Sequence, residues 1–282
     1  MRKHTMGLLA MAAATTLTLS ACGGAEVGGE PEGEESAAGG EGITIGIKYD
    51  QPGLGLQDGA EYTGFDVDVA TYVANELGYS EDQITFKETP SANREAMLQN
   101  GDVDMIFATY SITDERKEVI DFAGPYFVAG QDLLVAADNT DITGPQDLEG
   151  KNLCSVTGST SAEKIKTEYA EGVQLLERPG YAECVTALSA GQVDAVTTDD
   201  IILAGLAAAN GDGNLKVVGN PFSEEKYGVG LPKGDDQCEA INEAITKMID
   251  EGAWEEAVAA NTEGADYTPN ADLNPPTPEA CA

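Results

Sequence analysis

Short apolar runs alternate with amphipathic segments from residue 43 onward. The first run, 43–47, predicts a strand, and Phe65, Val69, Val73 and Leu77 then recur at intervals of four, which predicts one apolar stripe on a helix. Further strands are predicted at 84–88, 103–108, 152–156, 173–177, 193–198, 215–219 and 227–231. Further helices are predicted at 91–100, from 161, at 181–190, 201–209, near 237–251 and at 253–260. This alternation predicts parallel sheet covered by helical layers, an α/β fold.

Two local features lie between the first strand and the first helix. The glycine-rich stretch DQPGLGLQDG, residues 50–59, is predicted to be a loop. Asp66 and Asp68 follow in the first turn of the helix, where the helix dipole favours carboxylates. We therefore interpret these aspartates as residues that stabilise the helix and aid solubility, rather than as catalytic groups.

One pattern occurs twice in the chain. The segments LQNGDVDMIFAT (98–109) and LSAGQVDAVTTD (188–199) share Leu, Gly, Val and Asp at the same places. Each indicates a helix end, a glycine stop and a buried strand that runs to a polar residue; chance similarity between two such turns is the alternative to two lobes built alike. Ligands in open α/β sheets bind beyond the carboxyl ends of the strands. Thr109 and Asp199 are therefore expected to face a common cleft.

The N-terminus has the pattern of a secretion segment. A start with two positive charges precedes an apolar run at 6–19, which is too short to span a bilayer. The run ends in LSAC (19–22), which resembles the lipobox of bacterial lipoproteins. We expect residues 1–21 to be a signal peptide and Cys22 to carry the lipid, including palmitate, that anchors the protein to the outer face of the cell membrane. An ordinary signal peptide that ends near a cysteine is the alternative.

Residues 22–42 form a predicted linker. They consist mainly of Gly, Glu, Ala and Pro, a composition that cannot bury enough apolar surface to offset the entropy of ordering. About 240 residues remain, enough for one large domain or two smaller lobes. No later stretch has 18 consecutive apolar residues, so the remainder is expected to be soluble.

Charge and composition exclude several functions. The formal charge of −35 argues against nucleic acid and against docking on anionic lipid, although a local cluster of cations can still bind an anion. The one histidine, His4, lies in the predicted signal peptide, which excludes Ser-His-Asp and Cys-His catalysis and zinc sites with imidazole. No CxxC pair is present, and no metal or cofactor is predicted.

Four cysteines remain for structural use in an oxidising compartment. They are Cys154, Cys184, Cys238 and Cys281, which allow three pairings. Proximity along the chain favours Cys154–Cys184 and Cys238–Cys281. Each bond would contribute about 3–4 kcal/mol in the chain-entropy model.

Four motifs together resemble the solute-binding proteins of the polar amino-acid family, the receptors that feed ABC importers. They are GFDVDVA (64–70), VDMIFATYSITDERKEVIDFAGPY (103–126), GSTSAEKI (158–165) and VDAVTTD (193–199). The resemblance covers residues 42–262. Within the family, KYDQPGLGL (48–56), SANREAMLQNGDVDM (91–105) and LCSVTGST (153–160) resemble the glutamate-binding lipoproteins of Gram-positive bacteria. That subfamily also implies a cysteine pair at Cys154 and Cys184.

The resemblance implies a two-lobed, periplasmic-binding-protein-like fold of type II. The ligand would lie in a cleft between the lobes, which are joined by two crossing strands near 126–136 and 218–229. The expected segments are lobe 1 at 43–129, lobe 2 at 130–221, a return to lobe 1 at 222–262 and a C-terminal tail at 263–282.

The family motifs imply roles for residues of the first lobe. Arg116 is expected to bind the α-carboxylate of an amino acid, because its planar guanidinium suits a carboxylate bidentately. Thr109 and Ser111 are expected to contribute hydroxyl and backbone groups to the amino and carboxylate ends of the ligand.

The second lobe is expected to complete this clamp. The segment with Ser159 and Thr160 starts a helix whose free N–H groups suit the same carboxylate. Thr160 and Glu163 are spaced as a capping box, and a pure capping role for Thr160 is an alternative that is compatible with binding. Asp199 corresponds to the acidic partner of the α-ammonium; a solvated helix cap at Asp199 or Asp200 is the alternative.

Selectivity depends on the side-chain end of the ligand. Arg94 resembles the arginine that acidic-amino-acid receptors use near the distal carboxylate, and Lys48 could add a second cation. A structural ion pair is the alternative for each. Tyr49 and Tyr110 are the candidates for an aromatic residue that covers the ligand.

The sequence therefore predicts a monomeric receptor, not an enzyme, for glutamate or for glutamate and aspartate. Its partners would be an ABC permease and, through the lipid anchor, the membrane, with no nucleic acid. A receptor for a neutral amino acid such as glutamine is the first alternative. Dehydratases and sensory parts of larger enzymes that share the fold form a second class, and an adhesion protein a third.

Overall fold

The computed structural model describes residues 42–169 and 172–281. The predicted signal peptide, the predicted lipidation site at Cys22 and all of the predicted linker but its last residue lie outside the described residues. Within the described ranges, every helix is too short or too polar to cross a bilayer.

The described elements follow the predicted alternation. The strands are β1 (Ile43–Ile47), β2 (Asp50–Gln51), β3 (Gly55–Asp58), β4 (Glu61–Thr63), β5 (Ile84–Glu88), β6 (Met105–Phe107), β7 (Asp121–Ala129), β8 (Gln131–Ala136), β9 (Asn152–Val156), β10 (Gln174–Arg178), β11 (Ala195–Asp199), β12 (Leu215–Val217) and β13 (Glu225–Leu231). The helices are α1 (Phe65–Glu76), α2 (Arg94–Gln99), α3 (Asp114–Lys117), α4 (Thr160–Glu168), α5 (Tyr181–Ser189), α6 (Asp200–Asn210), α7 (Cys238–Asp250) and α8 (Ala253–Thr262). Short 3₁₀ helices lie at Glu81–Gln83, Ser91–Asn93 and Pro145–Leu148. The helices and strands predicted from periodicity are thus confirmed, with ends that differ by a few residues.

Two five-stranded sheets form the cores of two lobes. The first has the order β5-β1-β6-β13-β7, and helices α1 and α7 pack on it. The second has the order β10-β9-β11-β8-β12, and α4, α5 and α6 pack on it. We call these units, with their helices, the first lobe and the second lobe.

The predicted parallel sheet is confirmed for three strands of each lobe, whereas the remaining strands are antiparallel. Strands β5, β1 and β6 are parallel, as are β10, β9 and β11, but β13 pairs antiparallel with β6 and β7, and β8 pairs antiparallel with β11 and β12. The strands β8 and β13 each follow a crossing between the lobes. The chain enters each of them directly from a strand of the other lobe, and no helix of the same lobe directly precedes them. One crossing is Gly130, between β7 and β8. The other runs through residues 218–224, which are not strand, whereas 218–229 was predicted as one strand.

The glycine-rich stretch 50–59 is a hairpin and not the predicted loop. Strand β2 pairs antiparallel with β3, and β3 with β4. Gly53 has φ 79° in the turn between β2 and β3, a left-handed conformation that glycine adopts without steric cost and that lets the chain reverse. We refer to residues 50–63 as the hairpin.

The C-terminal tail packs along the outer strand β7. The Asn274 side chain bonds both backbone groups of Val128, accepting from its N–H at 2.9 Å and donating to its oxygen at 2.7 Å. The Glu279 N–H donates to the Gly124 oxygen at 2.7 Å. The tail is therefore part of the first lobe.

Both predicted disulfides are confirmed. Cys154 is joined to Cys184 within the second lobe, and Cys238 is joined to Cys281, which ties the end of the tail to α7. The bonds close loops with sequence separations of 30 and 43 residues.

We expect loss of the second disulfide to lower the free energy of unfolding by about 4 kcal/mol, because a loop of this length then regains its entropy in the unfolded chain. Urea denaturation of a Cys238→Ser, Cys281→Ser variant would measure the loss. Cys281 is partly exposed and Cys238 is 8% exposed, so the serine hydroxyls cost less burial there than at Cys154 and Cys184, which are wholly buried. Peptide mapping without reductant that finds a crossed pair would contradict the assignment.

Candidate binding cleft between the lobes

A narrow polar cavity lies between the two lobes, beyond the carboxyl ends of β6 and β11. Thr109 follows β6 and Asp199 ends β11, and both line the cavity, as expected from their positions at strand ends. The cavity is lined by Gln51, Ser91, Arg94, Thr109, Ser111 and Arg116 from the first lobe and by Ser159, Thr160, Ser161, Tyr181, Thr198, Asp199 and Ile202 from the second. Of the eight residues predicted to bind ligand, all but Lys48 are in this set.

Arg116 is held from three sides by groups of both lobes. In the first lobe, Nη1 donates to the Ser111 oxygen at 2.7 Å, and Nε donates to Glu95 Oε1 at 3.0 Å. Nη2 donates to the Gly158 oxygen of the second lobe at 3.3 Å. The guanidinium also lies over the Tyr110 ring, 4.7 Å from its centroid. These contacts fix the plane of the guanidinium at the cavity wall.

Arg94 supplies a second guanidinium at the start of α2, and only 3% of the residue is exposed. Nε donates to the Thr89 oxygen at 3.3 Å, and the group lies 5.1 Å from the centroid of the Tyr110 ring. Nη2 has no hydrogen-bond partner within the described residues. Burial and, second, the charge of Arg116 lower the pKa of Arg94. A buried cationic donor without a partner is costly unless it meets an acceptor.

Asp199 is the carboxylate of the cavity. Its Oδ2 accepts a hydrogen bond from the Tyr227 hydroxyl at 2.6 Å, whereas Oδ1 has no partner in the described part of the chain. Burial, followed by the charge of Glu225, raises the pKa of Asp199 well above its usual value. The alternative interpretation as a solvated helix cap is wrong for this side chain, because it is 3% exposed and makes no capping bond. Asp200 instead bonds its neighbour, the Ile201 N–H, at 2.7 Å.

The N-terminus of α4 faces the cavity, but its cap is not the predicted one. Ser159 is the N-cap residue, and its Oγ accepts from the Ala162 N–H at 3.0 Å. The capping box predicted for Thr160 and Glu163 is therefore wrong by one residue, since serine and threonine are both common N-cap residues and they are adjacent here. Thr160 is left with its Oγ1 3.2 Å from Ser111 Oγ, across the cleft.

Asp66 lies behind the cavity wall and bonds the backbone of the lining residue Thr109. The interpretation of Asp66 as a residue that aids solubility is therefore wrong. It is wholly buried, and its Oδ2 accepts from the Thr109 N–H at 2.9 Å while Oδ1 accepts from the Tyr126 hydroxyl at 2.8 Å. Thr109 has φ 47°, a left-handed conformation that is unusual for threonine. The carboxylate of Asp66 therefore holds the strained Thr109 backbone at the cavity wall. Asp68, by contrast, is exposed and bonds Asn261.

Lys48 lies outside the cavity lining. It is wholly buried and forms an ion pair with Asp50, which is the structural alternative considered for it. The two aromatic candidates also lie elsewhere. Tyr110 is buried in the core beneath the two arginines, and Tyr49 lies beside Lys48, whose Nζ is 4.7 Å from the centroid of its ring. The aromatic residue of the lining is Tyr181.

Sequence reasoning missed six lining residues, namely Gln51, Ser91, Ser161, Tyr181, Thr198 and Ile202. Three of them, Gln51, Tyr181 and Thr198, form hydrogen bonds with other lining residues. Gln51 Oε1 accepts from Thr109 Oγ1 at 3.2 Å, and the Tyr181 hydroxyl accepts from Thr198 Oγ1 at 2.7 Å. The position of Thr198 beside Asp199, at the end of a strand, could have identified it as a lining residue. Gln51 carried no such signal, because its stretch was expected to be a loop.

The cavity lining has an excess of positive charge, whereas the whole chain has an excess of negative charge. The lining carries two guanidinium groups, Arg94 and Arg116, and one carboxylate, Asp199, whereas the formal charge of the chain is −35. Arg94 and Asp199 each present a buried polar atom that finds no partner among residues 42–169 and 172–281, and they lie on opposite lobes. This arrangement can hold a small ligand with one positive and two negative groups.

Comparisons with known proteins give a consistent result. Residues 43–261 match the family model of the bacterial extracellular solute-binding proteins, family 3. The chain is 44% identical to the glutamate-binding protein GluB of Corynebacterium efficiens over 276 residues, or 92% of each chain. It is 38% identical to the ABC transporter glutamine-binding protein GlnH of Bacillus subtilis, covering 90% of this chain and 95% of the other. A solved structure of an ancestral arginine-binding protein bound to glutamine is similar, with a TM-score of 0.72 and 33% identity over 77% of this chain and 96% of that one.

We expect Asp66→Asn to change how stability depends on pH. Burial raises the pKa of Asp66 to about 6, so the folded state binds its proton more tightly than the unfolded state. Its contribution to stability is present below the unfolded pKa and is lost as pH rises through 6. Relative to Asp66→Asn, the wild type should therefore lose about 2.4 kcal/mol of unfolding free energy between pH 4 and pH 7.

Chemical denaturation at several pH values would measure this difference. Asp68→Asn removes the same charge from the same helix at an exposed position, and it should show a smaller change. Equal pH dependence in the two variants would contradict the role of burial at Asp66.

Proposed function

Because the chain belongs to the bacterial extracellular solute-binding proteins of family 3, we propose that it captures glutamate in the cleft between its lobes. Membership makes it an extracytoplasmic receptor that binds amino acids for ABC import, and a binding protein rather than an enzyme. The family resemblance inferred from the motifs and the two-lobed fold of type II are confirmed. The ligand and the residues that hold it are the subject of the proposal.

The charge balance of the lining is the observation that carries the choice of glutamate. Two guanidinium groups and one carboxylate line the cavity. Glutamate carries the complementary set, two carboxylates and one ammonium. Arg116 already has an anionic partner in Glu95, whereas Arg94 Nη2 has no partner within the described residues. A neutral amino acid would therefore leave the Arg94 guanidinium without an anionic partner in a buried site, which is costly.

The α-amino and α-carboxylate groups of the ligand would be held between the lobes. Arg116 would bind the α-carboxylate in a bidentate manner, together with the N–H groups at the start of α4 and the Ser111 and Thr160 hydroxyls. Asp199 would accept from the α-ammonium with Oδ1, and Thr109 would contribute beside it. Support comes from the fixed plane of the Arg116 guanidinium and from the unpartnered Asp199 oxygen.

The side-chain carboxylate would be bound by Arg94. Its Nη2 is a buried cationic donor without a partner in the described chain, and it lines the same cavity as Arg116. Lys48 was expected to help at this end, but its charge is paired with Asp50. Selectivity for an acidic side chain would therefore depend on Arg94.

Glutamine is the second candidate ligand. The chain is 38% identical to a glutamine-binding protein, and a similar solved structure is bound to glutamine. A guanidinium can also donate to an amide oxygen, so the same pose could accept glutamine with weaker electrostatics. The proposal also includes delivery from a monomer to one particular permease and anchoring by lipid at Cys22.

We expect the wild-type protein to bind glutamate more tightly than aspartate or glutamine. Isothermal calorimetry with the three amino acids would give the order directly. In thermal unfolding, a ligand at 100 times its dissociation constant should add about 2.7 kcal/mol of stability, and D-glutamate serves as a control for nonspecific effects. Tighter binding of glutamine than of glutamate would overturn the choice of ligand but not the family.

We expect Arg94→Met and Arg116→Ala to have different signatures. Arg94→Met keeps much of the side-chain volume and should weaken glutamate at least tenfold, about 1.4 kcal/mol, while glutamine loses less. Arg116→Ala removes the partner of the group that all amino acids share, so it should weaken both ligands alike, by about 3–5 kcal/mol.

Calorimetry on both variants would test this contrast. Lys117→Ala, which removes a positive charge one residue from Arg116, and Lys87→Met, which removes an exposed one from the first lobe, are the matched controls and should bind normally. An equal loss of affinity for glutamate and glutamine in Arg94→Met would show that Arg94 has a structural role and does not select the ligand side chain. Near-normal affinity in Arg116→Ala would exclude it from the clamp.

A further inference from the structure

A buried ion pair of the first lobe lies against the second lobe at the side of the cleft, outside the proposed ligand contacts. Lys48 is wholly buried and Asp50 is 9% exposed, and the lysine ammonium pairs with Asp50 Oδ1. Lys48 lies at the end of β1 and Asp50 begins the hairpin, so both belong to the first lobe. A buried charge pair is retained at a cost in desolvation, which raises the question of what it holds.

The second oxygen of Asp50 reaches the other lobe. Oδ2 accepts a hydrogen bond from the backbone N–H of Tyr181, the first residue of α5, at 2.6 Å. The N-cap of α5 is Gly180, which has no side chain to accept from the free N–H groups of the first turn. Asp50 therefore supplies from the first lobe the capping group that α5 lacks in its own sequence, and its charge suits the positive end of the helix dipole.

The absence of a side chain at Gly180 makes room for the Asp50 carboxylate. A Cβ at this position would lie 2.5 Å from Asp50 Oδ2, closer than real Cβ atoms come to a neighbour. The φ of Gly180 is −136°, which any residue can adopt. Glycine is therefore needed here for the close approach of the aspartate and not for backbone conformation.

The hairpin makes a second close approach to the same lobe. A Cβ on Gly205, in α6, would lie 2.2 Å from the backbone oxygen of Pro52. Two glycines on neighbouring helices of the second lobe, Gly180 and Gly205, thus receive two successive parts of the hairpin. This contact is independent of the ion pair and places the hairpin at the junction between the lobes.

The contact reaches the cavity through one residue. Tyr181, whose N–H Asp50 holds, also lines the cavity with its side chain, and its hydroxyl bonds Thr198 beside Asp199. Fixing the backbone of Tyr181 therefore fixes one wall of the cleft. Lys48 stabilises the charge of Asp50 and points its carboxylate at α5.

We propose that Asp50 is a positioning residue that docks the N-terminus of α5 onto the first lobe in the closed cleft and thereby slows release of the bound amino acid. The effect on release rests on the proposed function, whereas the docking contact itself does not. Lys48 and Gly180 act in the same contact, one as the charge partner and the other as the receiving surface.

The first test reads the contact in protein saturated with amino acid, because the contact forms as the cleft closes. Hydrogen exchange followed by mass spectrometry reports the Tyr181 amide, which has no acceptor within its own helix. We expect exchange of this amide to be at least tenfold faster in Asp50→Ala than in wild type. Asp58→Ala, an exposed aspartate of the same hairpin, is the matched control and should leave it unchanged. An unchanged Tyr181 amide in Asp50→Ala would overturn the proposal.

The second test measures release of bound glutamate by stopped flow. Asp50→Ala should raise the dissociation rate at least tenfold with little change in the association rate, because the contact forms as the cleft closes. Gly180→Ala, which displaces Asp50 by its added methyl group, should have the same effect. The double variant should be no worse than the more severe single variant, since both changes break one contact.

The outcomes separate this proposal from the proposed function. If the wild type binds glutamine instead of glutamate, the choice of ligand fails and the release measurement is repeated with glutamine. If Asp50→Ala does not fold, Gly180→Ala and Lys48→Met still report on the contact. Additive effects of Asp50→Ala and Gly180→Ala, or a dissociation rate equal to that of wild type, would show that Asp50 does not hold the cleft closed.

Discussion

The cleft depends on the Arg116 guanidinium, which must stay charged and fixed in a site sheltered from water. It is fixed by Ser111 and Glu95 from its own lobe, by Gly158 from the opposite lobe and by the Tyr110 ring beneath it. A guanidinium with this many partners loses little further conformational entropy when it binds a carboxylate. The entropy cost of ordering the side chain therefore subtracts little from the binding free energy. The rest of the lining is arranged around this fixed cation.

The excess charge of the cleft lining is positive, whereas the net charge of the whole chain is negative. The two can coexist because water and salt screen distant charges. The chain carries a formal charge of −35, yet its cleft exposes two arginines against one aspartate. Surface carboxylates further away than about 10 Å are largely screened at ordinary ionic strength, whereas groups that face one another across a closed cleft are not. An acidic protein can therefore bind an acidic ligand.

Sequence reasoning located the residues that lie at strand ends or in family motifs, and it failed where the partner was distant. Thr109 and Asp199 followed from two similar strand ends, and Arg116 followed from its motif. Asp66 was misinterpreted because its position in a helix turn is a local signal, whereas its partner Thr109 is 43 residues away. Lys48 was assigned to the ligand because no pattern in the sequence shows that Asp50 turns back toward it. Such pairs are determined by tertiary structure, which periodicity does not encode.

The tail has a consequence for self-association. Strand β7 is at the edge of its sheet, and an unpaired edge can template a strand from another molecule. Asn274 occupies both backbone groups of Val128, and the Glu279 amide occupies the Gly124 oxygen. The Cys238–Cys281 bond ties the end of this cover to α7. The protein thus blocks part of its own exposed edge with an irregular segment that cannot itself be extended by a further strand.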